Sequence, residues 1–132
     1  MADTDSQMAK GKWQKAPQEL VAFFQEAIKF LPGAEPRQMF GYPCAFVNGQ
    51  MFTGLFEDTL FLRLSEADRL AFRALDGARP FEPVAGRPMR EYSVAPAAML
   101  QNLPELDAWL AKSFNYAKSL PPKEEKASKK RQ

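Results

Sequence analysis

Cys44-Ala-Phe-Val-Asn-Gly-Gln-Met-Phe-Thr-Gly-Leu-Phe-Glu-Asp-Thr-Leu-Phe-Leu-Arg-Leu64 is the stretch that decides how this 132-residue chain folds. Asn48-Gly49 is a strong short-range hairpin signal, because a type I′ turn needs positive φ at both central residues. It separates the strand-like runs Cys44–Val47 and Gln50–Phe56, and Glu57-Asp58 marks a second tight reversal into Thr59–Leu64. Arg37–Phe40 is a further short extended run, set off by Gly41-Tyr42-Pro43. Together they read as an antiparallel meander of three to four strands.

Side chains alternate faces along a strand, so the two turns set the register. Pairing Val47 with Gln50 and Phe56 with Thr59 puts Cys44, Phe46, Met51, Thr53, Leu55, Leu60, Leu62 and Leu64 on one face. That face is expected to form the core beneath helices. The other carries Ala45, Val47, Gln50, Phe52, Gly54, Phe56, Thr59, Phe61 and Arg63. Phe52, Phe56, Phe61 and Arg63 make it a candidate interaction face, since a contiguous exposed aromatic patch marks a partner surface.

Helical patterns flank the meander. Pro17 suits the first helical position, Glu19 the first turn, and Leu20, Phe23, Phe24, Ala27, Ile28 and Leu31 recur at helical spacing until Pro32-Gly33. After the meander, Ser65 with Asp68 three residues on is a cap for a second helix. Its inner face is expected to hold Ala67, Leu70, Ala71, Ala74 and Leu75. Phe81–Val84 and Met89–Val94 then read as a looser β-hairpin around Gly86-Arg-Pro88, and Pro96–Leu100 as a helical turn or two. A last helix opens at Pro104-Glu105, with Leu106, Trp109, Leu110, Ser113 and Ala117 as its stripe. The fold class is α+β: helix, meander, helix, hairpin, C-terminal helix.

Composition bounds the chemistry. Hydrophobic residues at 45% and charged residues at 26% suit one globular core. No apolar run approaches the roughly 20 residues of a membrane span, and Met1–Ser6 is polar, so a cytoplasmic location with no membrane contact is expected. The absence of histidine excludes His-based triads and zinc sites that need His; the one cysteine, Cys44, has no internal disulfide partner. Residues 1–15 read as a disordered lead-in, 16–121 as the folded domain, and 122–132 as a disordered basic tail. The tail holds Lys123, Lys126, Lys129, Lys130 and Arg131 against Glu124 and Glu125, so the positive charge sits at the ends of the chain.

Arg37-x-Met39-Phe40-Gly41, the Asn-Gly hairpin with Met51-Phe52 beyond it, and Leu60-Phe-Leu-Arg-Leu64 resemble the TfoX (Sxy) N-terminal domain family. Further matches are Gly86-Arg-Pro-Met89 running into Glu91-Tyr-Ser-Val94-x-Pro96, and the closing Leu106-x-x-Trp109. The resemblance covers about residues 17–120. It implies a fold like that of YgaC and the secretion chaperones, in a family associated with regulation of natural competence in bacteria. Relatives commonly follow Met-Phe-Gly with a second glycine, where this chain has Tyr42-Pro43-Cys44.

Three candidate sites emerge. Arg37, Met39, Phe40, Gly41, Tyr42 and Pro43 form a candidate binding loop, with Gly41 permitting an unusual backbone and Pro43 stiffening the exit so that Tyr42 is presented. The aromatic face is the second, and the basic tail, as a phosphate-contacting segment, the third. The leading expectation is a non-enzymatic binding or adaptor module of the TfoX N-terminal type, regulatory in role. It would act by contact with an unidentified protein or by homodimerisation. The alternatives are a nucleic-acid-associated regulator that binds weakly and non-specifically through the tail, and a small-ligand-binding protein. No catalytic residue, metal ligand or cofactor is assigned.

Overall fold

A computed structural model describes residues 14–121. The tail lysines and Arg131 lie outside the described residues, as does Trp13. Helix α1 (Gln18–Lys29) comes first, then strands β1 (Glu35–Met39), β2 (Tyr42–Val47), β3 (Gln50–Phe56) and β4 (Thr59–Arg63). Helix α2 (Glu66–Arg73), strands β5 (Arg79–Pro80) and β6 (Tyr92–Val94), a 3-10 turn at Ala97–Gln101 and helix α3 (Leu103–Ser119) follow among the described residues. The architecture is α+β. The strands form one antiparallel six-stranded sheet in the order β1-β2-β3-β4-β6-β5.

Local chemistry accounts for the helix ends. Pro17 occupies the N-cap of α1 in extended conformation, and its carbonyl accepts from the N–H groups of Leu20 and Val21 at 3.0 Å. The Ser65 hydroxyl accepts from the Asp68 N–H at 3.3 Å and starts α2. The Asn102 side chain does the same for the Glu105 N–H at 3.2 Å and starts α3.

All three reversals in the meander are two-residue turns, and Val47↔Gln50 and Phe56↔Thr59 pair as the turn chemistry predicts. Asn48 and Gly49 both have positive φ, 52° and 75°. At Glu57-Asp58 the loop stays two residues long because Glu57 adopts a φ of 55°. The first turn departs from expectation. Phe40 (φ 57°) and Gly41 (φ 86°) are its central pair, while Tyr42 and Pro43 already belong to β2.

Face assignment is corrected by a β-bulge. Phe46 pairs with Met51 but Ala45 pairs with Thr53, so Phe52 and Thr53 together oppose Ala45. A bulge of this kind sends two successive side chains the same way and exchanges the faces beyond it. Phe52, Leu55, Leu60 and Leu62 therefore share the helix-covered face with Ala45 and Val47. Cys44, Met51 and Phe61 share the opposite face, and Phe46 packs against them.

That opposite face is a second small core. The late hairpin is corrected: its first strand is Arg79–Pro80, ahead of the expected Phe81–Val84, its second is Tyr92–Val94, the end of the expected Met89–Val94, and β6 joins the meander beside β4. The segment between β5 and β6 folds over the sheet and seats Phe81 and Met89 on it. In α2 the expected inner face is also corrected. Phe72 is fully buried, with its ring edge-on to Trp109 at 4.9 Å, whereas Leu70 is 70% exposed. One phenyl ring buries more apolar area than the surrounding alanines, and it sets the rotation of the helix. In α3, Phe114 joins the expected stripe.

Candidate functional site

A concavity opens where the C-terminal half of α1 meets the first hairpin. Leu31–Ala34 carries the chain from α1 to β1, and β1 is a terminal strand, exposed along most of its length. The groove between them measures about 630 Å³. Phe24, Ile28 and Leu31 supply apolar walls, Pro36 and Pro43 line the strand side, and Lys29, Arg37 and Gln38 bring polar groups. Cys44 also lines it, yet the thiol is buried and burial pushes its pKa up to about 11 against the opposing charge of Arg37. A thiol in that state is a small apolar side chain and a poor nucleophile.

The expected binding loop is divided by the fold. Arg37 bonds Glu35 at 3.0 Å and holds its guanidinium 4.3 Å from the centroid of the Phe46 ring. Met39 packs into the second core. Phe40 stands at the turn tip, 66% exposed. A bulky residue at positive φ is a strained choice for the first position of a type I′ turn. Gly41 follows it at positive φ with open space around its Cα. Tyr42 is buried, not presented on a loop. Its ring lies 5.5 Å from that of Phe56, and its hydroxyl donates to the Gln14 carbonyl. Burial first, and then the Glu57 charge, raises its pKa.

The expected aromatic face is also taken apart. Phe52 lies fully buried beneath α3, edge-on to Phe114 at 5.3 Å. Phe61 is on the other side of the sheet, stacked on Phe81 at 4.1 Å with the planes 13° apart. Phe56 is half-buried between Tyr42 and Phe81, 5.6 Å from the latter. These three rings do not make one exposed surface.

Arg63, the fourth member of that set, anchors a polar network that sequence reasoning missed. Its Nε donates to Glu91 at 2.7 Å and its Nη1 to Gln50 at 3.0 Å. Tyr116 donates to the other Glu91 oxygen at 3.1 Å, and Tyr92 donates to the Met51 carbonyl at 2.9 Å. Gln50 in turn donates to the Pro121 carbonyl at 2.8 Å, tying the end of α3 to the sheet. Burial works to raise the Glu91 carboxyl, but Arg63, with help from Tyr116, outweighs it and holds the pKa below the usual value. Burial pushes Tyr92 up to about 12. The groups come from four separate elements, so only tertiary pairing brings them together. Each of these donors has an acceptor within the fold, which marks the network as a clasp.

Among the described residues, no group of three or more His, Cys, Asp or Glu side chains is placed to hold a metal ion, and no helix is long and apolar enough to cross a membrane. A comparison with curated proteins finds no match. The family model described as the TfoX N-terminal domain matches residues 26–117, more than half of the chain, and spans most of the groove, the bulged meander, the Arg63–Glu91 pair and most of α3. On that match, the chain belongs to the TfoX N-terminal domain family.

Proposed function

We propose that the chain is a non-enzymatic, regulatory binding module of the TfoX N-terminal type, working in the cytoplasm by protein–protein contact through the α1–β1 groove. The observation that carries the reading is the groove itself. It is open on one side and apolar at its walls, with the ion-paired cations Lys29 and Arg37 at its rim. An apolar concavity with a few polar groups at its edge is the default candidate for a binding site. The buried, high-pKa thiol of Cys44 argues against nucleophilic catalysis there.

Photocrosslinking tests it. A crosslinking side chain placed at Gln25 or Gln38 in the native host is expected to give one discrete protein adduct, absent when placed at Glu66 and lost in a Lys29→Glu background. Adducts of equal strength from Glu66 overturn the reading. The volume of about 630 Å³ also lies within the ~300–1,000 Å³ of small-ligand sites, which favours a second reading, a small-molecule ligand in the same groove. A metabolite fraction that raises the Tm of the native chain but not of Lys29→Glu, with no protein adduct, selects that reading.

A further inference from the structure

The ladder pattern shows where each terminal strand points its main-chain groups. In antiparallel pairs, hydrogen-bonded and non-bonded positions alternate. The two-residue turn at Phe40-Gly41 makes Met39↔Tyr42 the closing bonded pair, so Arg37↔Cys44 and Glu35↔Phe46 are bonded too. Pro36 and Gln38 therefore turn their main-chain groups outward, away from β2. Pro36 has no N–H to offer. The N–H of Ala34 is already given to Leu31 at 3.0 Å. From Ala34 to Gln38 the margin offers an added strand one donor, that of Gln38.

The opposite margin repeats the device. Leu64 donates to Glu91 at 3.0 Å and Ala95 to Leu60 at 2.8 Å, so Ser93 turns its main-chain groups to β4. Pro80, which pairs with Ser93, then faces outward, in keeping with the Phe81 N–H donating to Tyr92 at 3.3 Å. Both prolines are exposed. Each terminal strand thus carries a proline where a ladder donor would otherwise meet solvent.

We infer that Pro36 and Pro80 guard the two margins of the sheet against strand addition by a second copy of this chain. An uncovered edge strand is a template for pairing with another chain, and an outward proline removes a bond and puts a ring in the way. Contact between copies is thereby kept off the sheet edges. This inference does not rest on the groove reading.

Sedimentation velocity on the full chain across a concentration series tests it. The native chain is expected to show no edge-paired dimer. Pro36→Thr, which restores an outward donor on a β-favouring residue, is expected to move toward twice the mass as concentration rises, and Pro36→Thr with Pro80→Thr further still. Adding Gln38→Pro to Pro36→Thr returns a proline to an outward position on the same strand and is expected to restore the native mass. Association that Gln38→Pro leaves unchanged overturns the inference, since it would come from general loss of structure. Variants that keep the native far-UV circular dichroism and the native mass at every concentration overturn it as well.

Discussion

The Phe61 ring lies across Gly54 of the neighbouring strand so closely that a Cβ on Gly54 would stand 2.7 Å from Phe61 Cζ and 2.9 Å from Cys44 Cβ. Gly54 pairs with Phe61 on one side and Cys44 on the other, in the middle of the sheet. The glycine thus leaves room for the ring that stacks on Phe81. Gly54→Ala gains a little from a less flexible unfolded chain, about 0.4–1 kcal/mol. Overpacking costs more, about 1–3 kcal/mol, because Phe61 has to leave its stacked position. Urea unfolding is expected to show a net loss of stability. An unchanged midpoint would mean that Phe61 moves freely.

Phe72 takes the buried place in α2 that periodicity assigned to Leu70. Phe72→Ala opens a cavity beside Trp109 and is expected to cost about 3–5 kcal/mol. Leu70→Ala alters an exposed side chain and is expected to stay within about 0.5 kcal/mol of the native chain. Paired urea titrations check the order.

The Arg63–Glu91 pair gives stability a dependence on acid pH. Because the folded carboxyl lies below its ordinary value of 4.5, the unfolded chain takes up the proton first. The stabilisation is therefore complete above that value and fades as pH falls through the folded pKa. Glu91→Gln is expected to lower stability near neutral pH and to flatten the decline on acidification. Urea midpoints in a pH series, compared between the two proteins, measure it.

Cys44 is expected to resist alkylation in the folded chain. A pKa raised from 9.0 to about 11 reduces the thiolate at neutral pH roughly a hundredfold, and burial slows access further. Iodoacetamide labelling followed by mass spectrometry is expected to be slow in buffer and complete in urea.

Much of the fold is legible in the residues because its signals are local. Asn48-Gly49 needs no distant partner to turn the chain, and the cap at Ser65 acts within three residues. The spacing of Leu20, Phe24, Ala27 and Ile28 likewise reports the buried stripe of α1 directly. The candidate site was legible only in part. Arg37 and Pro43 belong to the candidate loop read around Gly41-Tyr42-Pro43, but nothing in the chain announces that α1 and Gln38 join them to make a groove.

The sequence by itself determined the start of α2 at Ser65, the turns at Asn48-Gly49 and Glu57-Asp58 and the pairing across those two turns, since backbone sterics and short hydrogen bonds decide these. Tertiary structure alone decided the faces. The bulge at Phe52–Thr53 answers to packing against Ala45 and α3, and one extra residue in a pleated strand reverses every side chain beyond it. The cover over Phe61, the rotation of α2 about Phe72 and the Arg63–Glu91 clasp each join residues far apart in the chain, so they arise only when the whole sheet closes.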